Sequence, residues 1–519
     1  MTDLPRSDGN GIAATRDSAT RENGATGRDS AAQRGLQDVL RMASGRAATQ
    51  GVLILSALVI PRTLGAAGYG QFLAAMAVLA ILQEVSSFGL PLVEMRFLAP
   101  LYRGAENATQ RHKATALGSA IWSLRVTLGW LAAVLAVFWF ARSEQLRLAA
   151  WVVVALGVLA VLRFSYEATR SLFLPLGLIG HLVTFDFVRA VGTLVAVLCA
   201  FPFFGISGVF VTLVGLYALL FVACVAWLSK RAPMARPTVR WSPLAPYLSY
   251  GAWSFVGTLS EMVQNQFSVY ALAAWGSLEQ AGYLGLSIQV FGLFRLLVLS
   301  ARNSLMPILA ELEENGEVAR VRQWGGLMLR VSAALSCLAV VSWALVGEVV
   351  VQGLLKDSFL PVYPLIAIIL LGALFYAGGT VLSGLLYIYR RQTSASLVSV
   401  VYALATIGGL VIAFRGPASE VAQQIAWAYA VAAVIFFVLN YLALGIRCRL
   451  WLPFRRFFFL TLPALAVWPA LTWQGTVGER FAALALFLAL YCLVAVVGKL
   501  LPLEELRRIF HLVRRRNPG

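Results

Sequence analysis

A chain of 519 residues with 60% hydrophobic and only 13% charged side chains has too little polar surface to enclose a water-soluble fold, which ordinarily carries about a quarter charged residues. A mean hydropathy of +0.78 makes lipid the solvent for much of it. The net charge of +18 does not indicate nucleic acid, because the basic residues are spread between apolar runs rather than gathered in one patch.

Residues 1–38 are rich in Ser, Ala, Gly, Thr, Arg and Asp and nearly lack large apolar side chains, so a disordered cytoplasmic tail is expected. No apolar core with a small-residue cleavage site marks a secretory signal there, and the acidic residues argue against a transit peptide. Beyond the tail, apolar runs of roughly 18 to 25 residues recur, each long enough to cross about 30 Å of hydrocarbon. They predict about 14 helical spans, hence an all-α polytopic membrane protein. An N-terminal lobe (39–229) holds spans 43–63, 68–95, 114–141, 147–168, 179–203 and 206–229. After a cytoplasmic linker (230–245), a C-terminal lobe (246–446) holds spans 246–275, 279–306, 324–352, 359–388, 394–414 and 421–445. An extra pair, 455–474 and 479–500, lies within 447–501, ahead of a basic cytoplasmic tail at 502–519.

With the N-terminus placed in the cytoplasm, roughly 31 of the 42 Lys and Arg residues fall on the cytoplasmic side, about six outside and about five within spans. The clusters Arg103, Arg111 and Lys113, then Lys230, Arg231, Arg236 and Arg240, then Arg447, Arg449, Arg455 and Arg456 carry this bias, and the turn 201–207 has no charge. An even number of spans with both termini cytoplasmic follows. The five cysteines are widely spaced, as small packing residues are, and neither they nor the three histidines suggest a metal site. No P-loop or GxSxG element is present, so no cofactor is expected.

A short repeat relates the two lobes. Leu64-Gly65-Ala66-Ala67-Gly68-Tyr69-Gly70 lies between spans 1 and 2, and Leu278-Glu279-Gln280-Ala281-Gly282-Tyr283-Leu284 between spans 7 and 8. The offset, 278 − 64 = 214, also sets Gln50 on Gln264. It gives six spans to each half, the arrangement of repeat-built transporters.

Ionisable groups within spans are costly and are functional candidates by default. Span 2 carries Glu84, Ser87, Pro91 and Glu94 at spacings that share one helical face. Span 7 carries Ser254, Glu261, Asn265 and Ser268 on one face, with Gln264 and Gln266 alongside. Arg295 and Arg302 lie on one side of span 8, and Arg46 and Gln50 near one end of span 1. A water-filled cavity between the lobes would accommodate all of these. For Arg46, Glu94, Arg96 and Arg302, near predicted span ends, snorkelling to the interface is the alternative. Asp186 and Arg189, three apart in span 5, are expected to form a structural ion pair. Arg125 and Arg330 are expected to reach an interface or a partner, with no further role.

The stretch Ser56 to Phe72, with Pro61-Arg62, Leu64-Gly65 and Tyr69-Gly70-Gln71-Phe72, resembles the opening of bacterial polysaccharide flippases of the Wzx type. Ser87-Phe88-Gly89-Leu90-Pro91 and Arg96-Phe97-Leu98-Ala99 are similar to their second helix, and Ala281-Gly282-Tyr283 to their second half. The resemblance implies the fold of the multidrug/oligosaccharidyl-lipid/polysaccharide superfamily, in which two six-helix bundles rock about a central cavity, in its 14-helix branch. It implies a bacterial inner-membrane protein, not an enzyme, that flips a polyprenyl-pyrophosphate-linked oligosaccharide for surface polymers such as lipopolysaccharide or exopolysaccharide. Membrane lipids and other polysaccharide-assembly proteins would be its partners. Cavity candidates are Arg295, Arg302 and Arg46 for an anionic headgroup, Glu84 and Glu261 for sugar hydroxyls or proton coupling, and Asn265, Gln264 and Gln50 along the same polar faces. The mixed signs make this cavity less basic than a simple phosphate site. A multidrug or small-molecule antiporter of the same superfamily is one alternative. A membrane-embedded polymerase or glycosyltransferase is another, weighed down by short loops with no room for a catalytic domain.

Overall fold

The computed structural model describes residues 19–98, 101–102, 108–142, 149–231, 244–473 and 475–497. The first helix, α1 (Ala19–Ser87), contains one break, at Gly65 with φ 72° and ψ 172°, four residues after Pro61. Proline removes a helical hydrogen bond, and glycine alone adopts the positive φ at little cost, so the pair ends one span and opens the next. The apolar part, Ala48–Ser87, is 40 residues long. As one straight helix it would reach about 60 Å, twice the hydrocarbon thickness, so the break at Gly65 divides two crossings. From Ala19 the helix also takes in residues 19–38, where a disordered tail was expected. Its Ala, Arg, Glu and Gln residues are strong helix formers even without an apolar face to pack.

α1 ends at Phe88 and Gly89, both at positive φ, before the short α2 (Leu90–Val93) and a π turn, Glu94–Leu98. Then come α3 (Ala108–Arg142), α4 (Ala150–Ser171) and α5 (Ile179–Arg231). α5 repeats the device of α1, with Pro202 followed by Gly205 at φ 61°. The second lobe runs through α6 (Ala245–Met262), a π turn (Val263–Phe267) and α7 (Ser268–Trp275), then α8 (Leu278–Glu314), α9 (Val318–Leu354), α10 (Val362–Ile388), α11 (Gln392–Ala413) and α12 (Val421–Cys448). α13 (Phe454–Thr461) continues through a 3-10 turn into α14 (Val467–Thr472), and α15 (Val477–Val497) closes the described chain. Among the described residues, ten helices are long and apolar enough to cross a membrane. Split at Gly65 and Gly205, and with α6–α7 and α8 added, this segmentation fits the fourteen spans expected from hydropathy.

Two bundles are evident in the packing. α1, α3, α4 and α5 pack together, as do α8 to α12, with α10 at the centre of the second group. Of the apolar window of Asp357–Ile388, 89% is buried inside the protein, against 11% for Val477–Ala495. α10 is thus enclosed by other helices, whereas α15 presents most of its surface to lipid. The C-terminal pair packs on α9, where Arg480 meets Glu348 at 2.6 Å. The main contact between bundles is α1 against α8, and α2 packs on α6.

Candidate functional site

The repeat seen in the sequence is where the two bundles touch. A Cβ placed on Gly70 would collide with the Leu278 carbonyl, and one on Gly282 with the Ala66 carbonyl, lying 3.2 Å from the Gly70 nitrogen. Both copies of the motif therefore meet backbone to backbone. Tyr69, 1% exposed, donates its hydroxyl hydrogen bond to Gln289 Oε1 at 2.8 Å, and Trp139 of α3 donates to the Tyr270 hydroxyl at 2.6 Å. One helix length away, at the opposite end of the seam, a Cβ on Gly89 would collide with the Gly251 carbonyl. Phe88 packs on Phe255 at 5.2 Å between ring centroids, and Phe97 on Tyr247 at 4.6 Å. The seam between the bundles is closed at both ends.

Between the two closures lie four of the charged candidates. Arg295 Nη2 is 3.7 Å from Glu261 Oε2, with Glu261 58% and Arg295 23% exposed. Arg302, on the same side of α8 and two turns on, lies in the field of the same Glu261 and of Arg295, and a Cβ placed on Gly384 of α10 would lie 3.2 Å from its stem. Glu84 of α1 lies in the field of Glu261 across the seam and of Arg125 and Glu167 in its own bundle. Its carboxylate also meets the Ser87 hydroxyl at 3.5 Å. Tyr376, 6% exposed on α10, backs Arg295 from inside the second bundle. A residue pair so exposed contributes on the order of 0–1 kcal/mol to stability and is open to exchange with an external ion.

The remaining candidates are placed differently. Gln50 is partly buried, with its Oε1 unpartnered. Gln264 is 3% exposed and Ser268 0%. Asn265 donates from Nδ2 to the Glu261 carbonyl at 2.9 Å, back onto its own helix. The single face predicted for Ser254, Glu261, Asn265 and Ser268 is not kept. The π turn Val263–Phe267 inserts part of a turn and rotates Ser268 into the bundle while Glu261 stays in the open. The side chains of Arg46 and Ser254 lie outside the described residues.

The face predicted for Glu84, Ser87, Pro91 and Glu94 is likewise broken, here by the positive φ of Phe88 and Gly89. Glu94 does not snorkel: it is 1% exposed and pairs with Arg125 Nη1 at 2.9 Å, and Arg125 also bonds Ser171. Asp186 and Arg189 do pair, at 3.8 Å, but within a larger network. Arg170 meets the Asp186 carboxylate at 2.5 Å and Glu167 at 3.0 Å, and Arg189 reaches Glu167 at 3.7 Å. The sequence reading missed Glu167 and Arg170 because they lie at the end of α4, where a charge reads as an interface residue; their spacing of three was the available signal. Arg330 is 5% exposed and bonds the Gly326 carbonyl one turn back.

Helical bundles paired across a repeat seam, with charges held between two closures, define a polytopic protein with the fold of membrane transporters of the multidrug/oligosaccharidyl-lipid/polysaccharide superfamily. Comparison with solved structures gives this fold directly. The lipid II flippase MurJ in an inward closed conformation superposes with a TM-score of 0.67 at 12% identity, over 89% of this chain and 99% of that one. An inward-facing multidrug resistance transporter of the MATE family gives 0.57 at 11% identity, over 78% and 99%. A superfamily transporter from Pyrococcus furiosus gives 0.51 at 14%, over 79% and 94%. Residues 179–364 match a family described as polysaccharide biosynthesis protein, which agrees with the flippase resemblance of Ser56 to Phe72. No curated protein sequence matches the chain.

Proposed function

We propose that this protein flips a polyprenyl-pyrophosphate-linked oligosaccharide across the bacterial inner membrane by alternating access, with both termini in the cytoplasm. The observation that carries the reading is the Arg295–Glu261 pair, 3.7 Å apart with Glu261 58% exposed, on α6 and α8, the helices of the second bundle that meet the first. A diphosphate carries the charge to displace Glu261 from the planar Arg295 guanidinium, which suits bidentate phosphate contacts. Arg302 adds a second positive charge on the same side of α8. Glu84 and the released Glu261 accept hydrogen bonds from sugar hydroxyls. The lipid tail stays in the bilayer while the headgroup crosses, and rocking of the bundles changes the side to which the site opens.

The polysaccharide-biosynthesis match over residues 179–364 supports this cargo class, because it spans α5 through α9 and so includes both Glu261 and Arg295. The decisive experiment is deletion of the gene with mass spectrometry of extracted polyprenyl lipids and an assay of surface polymer. Accumulation of a saccharide-loaded carrier with loss of polymer is expected, and complementation with Arg295→Ala should restore neither although the protein reaches the membrane. Unchanged carriers and polymer would sink the reading. The acids Glu84 and Glu261 favour one second reading, export of small cationic solutes, which a drug-sensitivity profile of the same deletion strain would reveal.

A further inference from the structure

The two closures of the seam are built from different chemistry around the same device, a backbone contact that tolerates no side chain. At the Gly70 end, helices α1 and α8 approach so closely that a Cβ on either Gly70 or Gly282 would overlap a carbonyl of the other helix. That contact is flanked by hydrogen bonds, Tyr69 to Gln289 and Trp139 to Tyr270. At the Gly89 end, a Cβ on Gly251 would lie 3.3 Å from the Phe88 carbonyl, one on Gly89 would collide with the Gly251 carbonyl, and the flanking contacts are aromatic, Phe88 on Phe255 and Phe97 on Tyr247. Neither end is sealed by large interdigitating side chains across the glycines. Each is a contact whose energy depends on the absence of one atom.

We propose that these glycine contacts are the two gates of the transporter and that the glycines set the balance between its two open states. The rocking motion is taken from the function proposed above, but the cargo is not. A methyl group at Gly282 strains every conformation in which the Gly70 end is closed and none in which it is open, so it shifts the population towards opening at that end. A methyl group at Gly251 does the same at the opposite end. The Gly251 contact is the milder of the two, since a displacement of a few tenths of an ångström relieves it. The polar gate and the aromatic gate also differ in how they part: the first exchanges its hydrogen bonds for water, whereas the second exposes apolar rings.

The test uses the full-length protein with its five cysteines replaced and Glu84→Cys introduced as a reporter between the gates, in spheroplasts and in inverted membrane vesicles. A membrane-impermeant maleimide is added to one face at a time, with no substrate present. Gly282→Ala is expected to raise labelling from the extracytoplasmic face about tenfold, the population change that about 1.4 kcal/mol of strain in one state produces. Labelling from the cytoplasmic face should not rise. Gly251→Ala should raise cytoplasmic labelling only, by a smaller factor. Should Gly282→Ala fail to accumulate in the membrane, Tyr69→Phe removes the hydroxyl bonded to Gln289 without adding bulk and is expected to shift labelling in the same direction as Gly282→Ala. Equal acceleration from both faces, or no change with Tyr69→Phe and Gly251→Ala, would overturn the proposal. Side-selective labelling in a protein whose deletion leaves polyprenyl carriers unchanged would keep the gates and discard the cargo, so the two failures are distinguishable.

Discussion

Two kinds of ion pair occur within the described helices, and their burial separates their roles. Glu94 and Arg125 are 1% and 8% exposed, so removal of one leaves the other a buried charge without its paired counter-ion. Glu94→Ala is expected to cost on the order of 3–5 kcal/mol, while Glu94→Leu with Arg125→Met should recover most of it. Thermal unfolding in detergent checks both, and equal stability of the single variant and the parent would remove the structural role. Glu261 is 58% exposed and Arg295 23%, so Arg295→Ala should cost on the order of 1 kcal/mol of stability, less than Glu94→Ala, while transport is lost. Arg295→Lys, which keeps the charge but not the planar fork, should retain only part of the transport. The residues themselves were visible in the sequence, but not this division, because burial depends on which helix each charge meets. Glu94 and Glu261 look alike in hydropathy; Arg125, 31 residues away, makes one of them structural.

At the scale of elements, the breaks matter as much as the helices. Gly65 has open space where a Cβ would go, so Gly65→Ala should cost only the strain of a backbone region that suits glycine alone, on the order of 1–3 kcal/mol, and leave the gates unbiased. Comparing it with Gly282→Ala in the labelling assay separates a backbone role from a contact role. Arg480 ties the start of α15 to α9: it donates to the Gly475 and Trp473 carbonyls at 3.1 and 3.0 Å and meets Glu348 at 2.6 Å. Arg480→Ala is expected to increase hydrogen exchange or proteolysis around α15 while α10 keeps its protection. Loss of protection throughout the second bundle would mean instead that the pair is integral to it. Span positions were legible because twenty apolar residues have few alternatives to a membrane helix. The π turn at Val263–Phe267 was not, since nothing in its composition distinguishes it from the α-helix on either side. Faces drawn on an unbroken helix failed past that turn and past Gly89 for the same reason.

For the whole molecule, rocking requires that the gates do not both stay closed. A reducible bis-methanethiosulfonate bridge between Tyr69→Cys and Gln289→Cys, spanning the gap that the parent side chains fill with their hydrogen bond, should hold the Gly70 end shut and stop transport until reductant is added. Transport that continues with the bridge formed would exclude opening at this end. Two apolar hollows lack the charged candidates: one on α3 of about 410 Å³, lined in part by Trp122, Trp130 and Val134, and a smaller one where α1 and α8 meet α9. Their apolar linings, such as Val126 and Leu131 in the first and Ile54 and Leu286 in the second, suit lipid tails rather than a charged headgroup.

The sequence by itself determined the solvent, the all-helical membrane class and the approximate place of the apolar spans. Those follow from length, apolarity and charge bias, which act locally and leave a chain in lipid few choices. The glycine motif was visible as a repeat, and its purpose was not. Only the tertiary structure set Gly70 against Leu278 and Gly282 against Ala66, across more than two hundred residues, and chose which buried acids would find an arginine. Contacts of that kind are decided by the packing of whole helices, where a single absent methyl group fixes how near two backbones come.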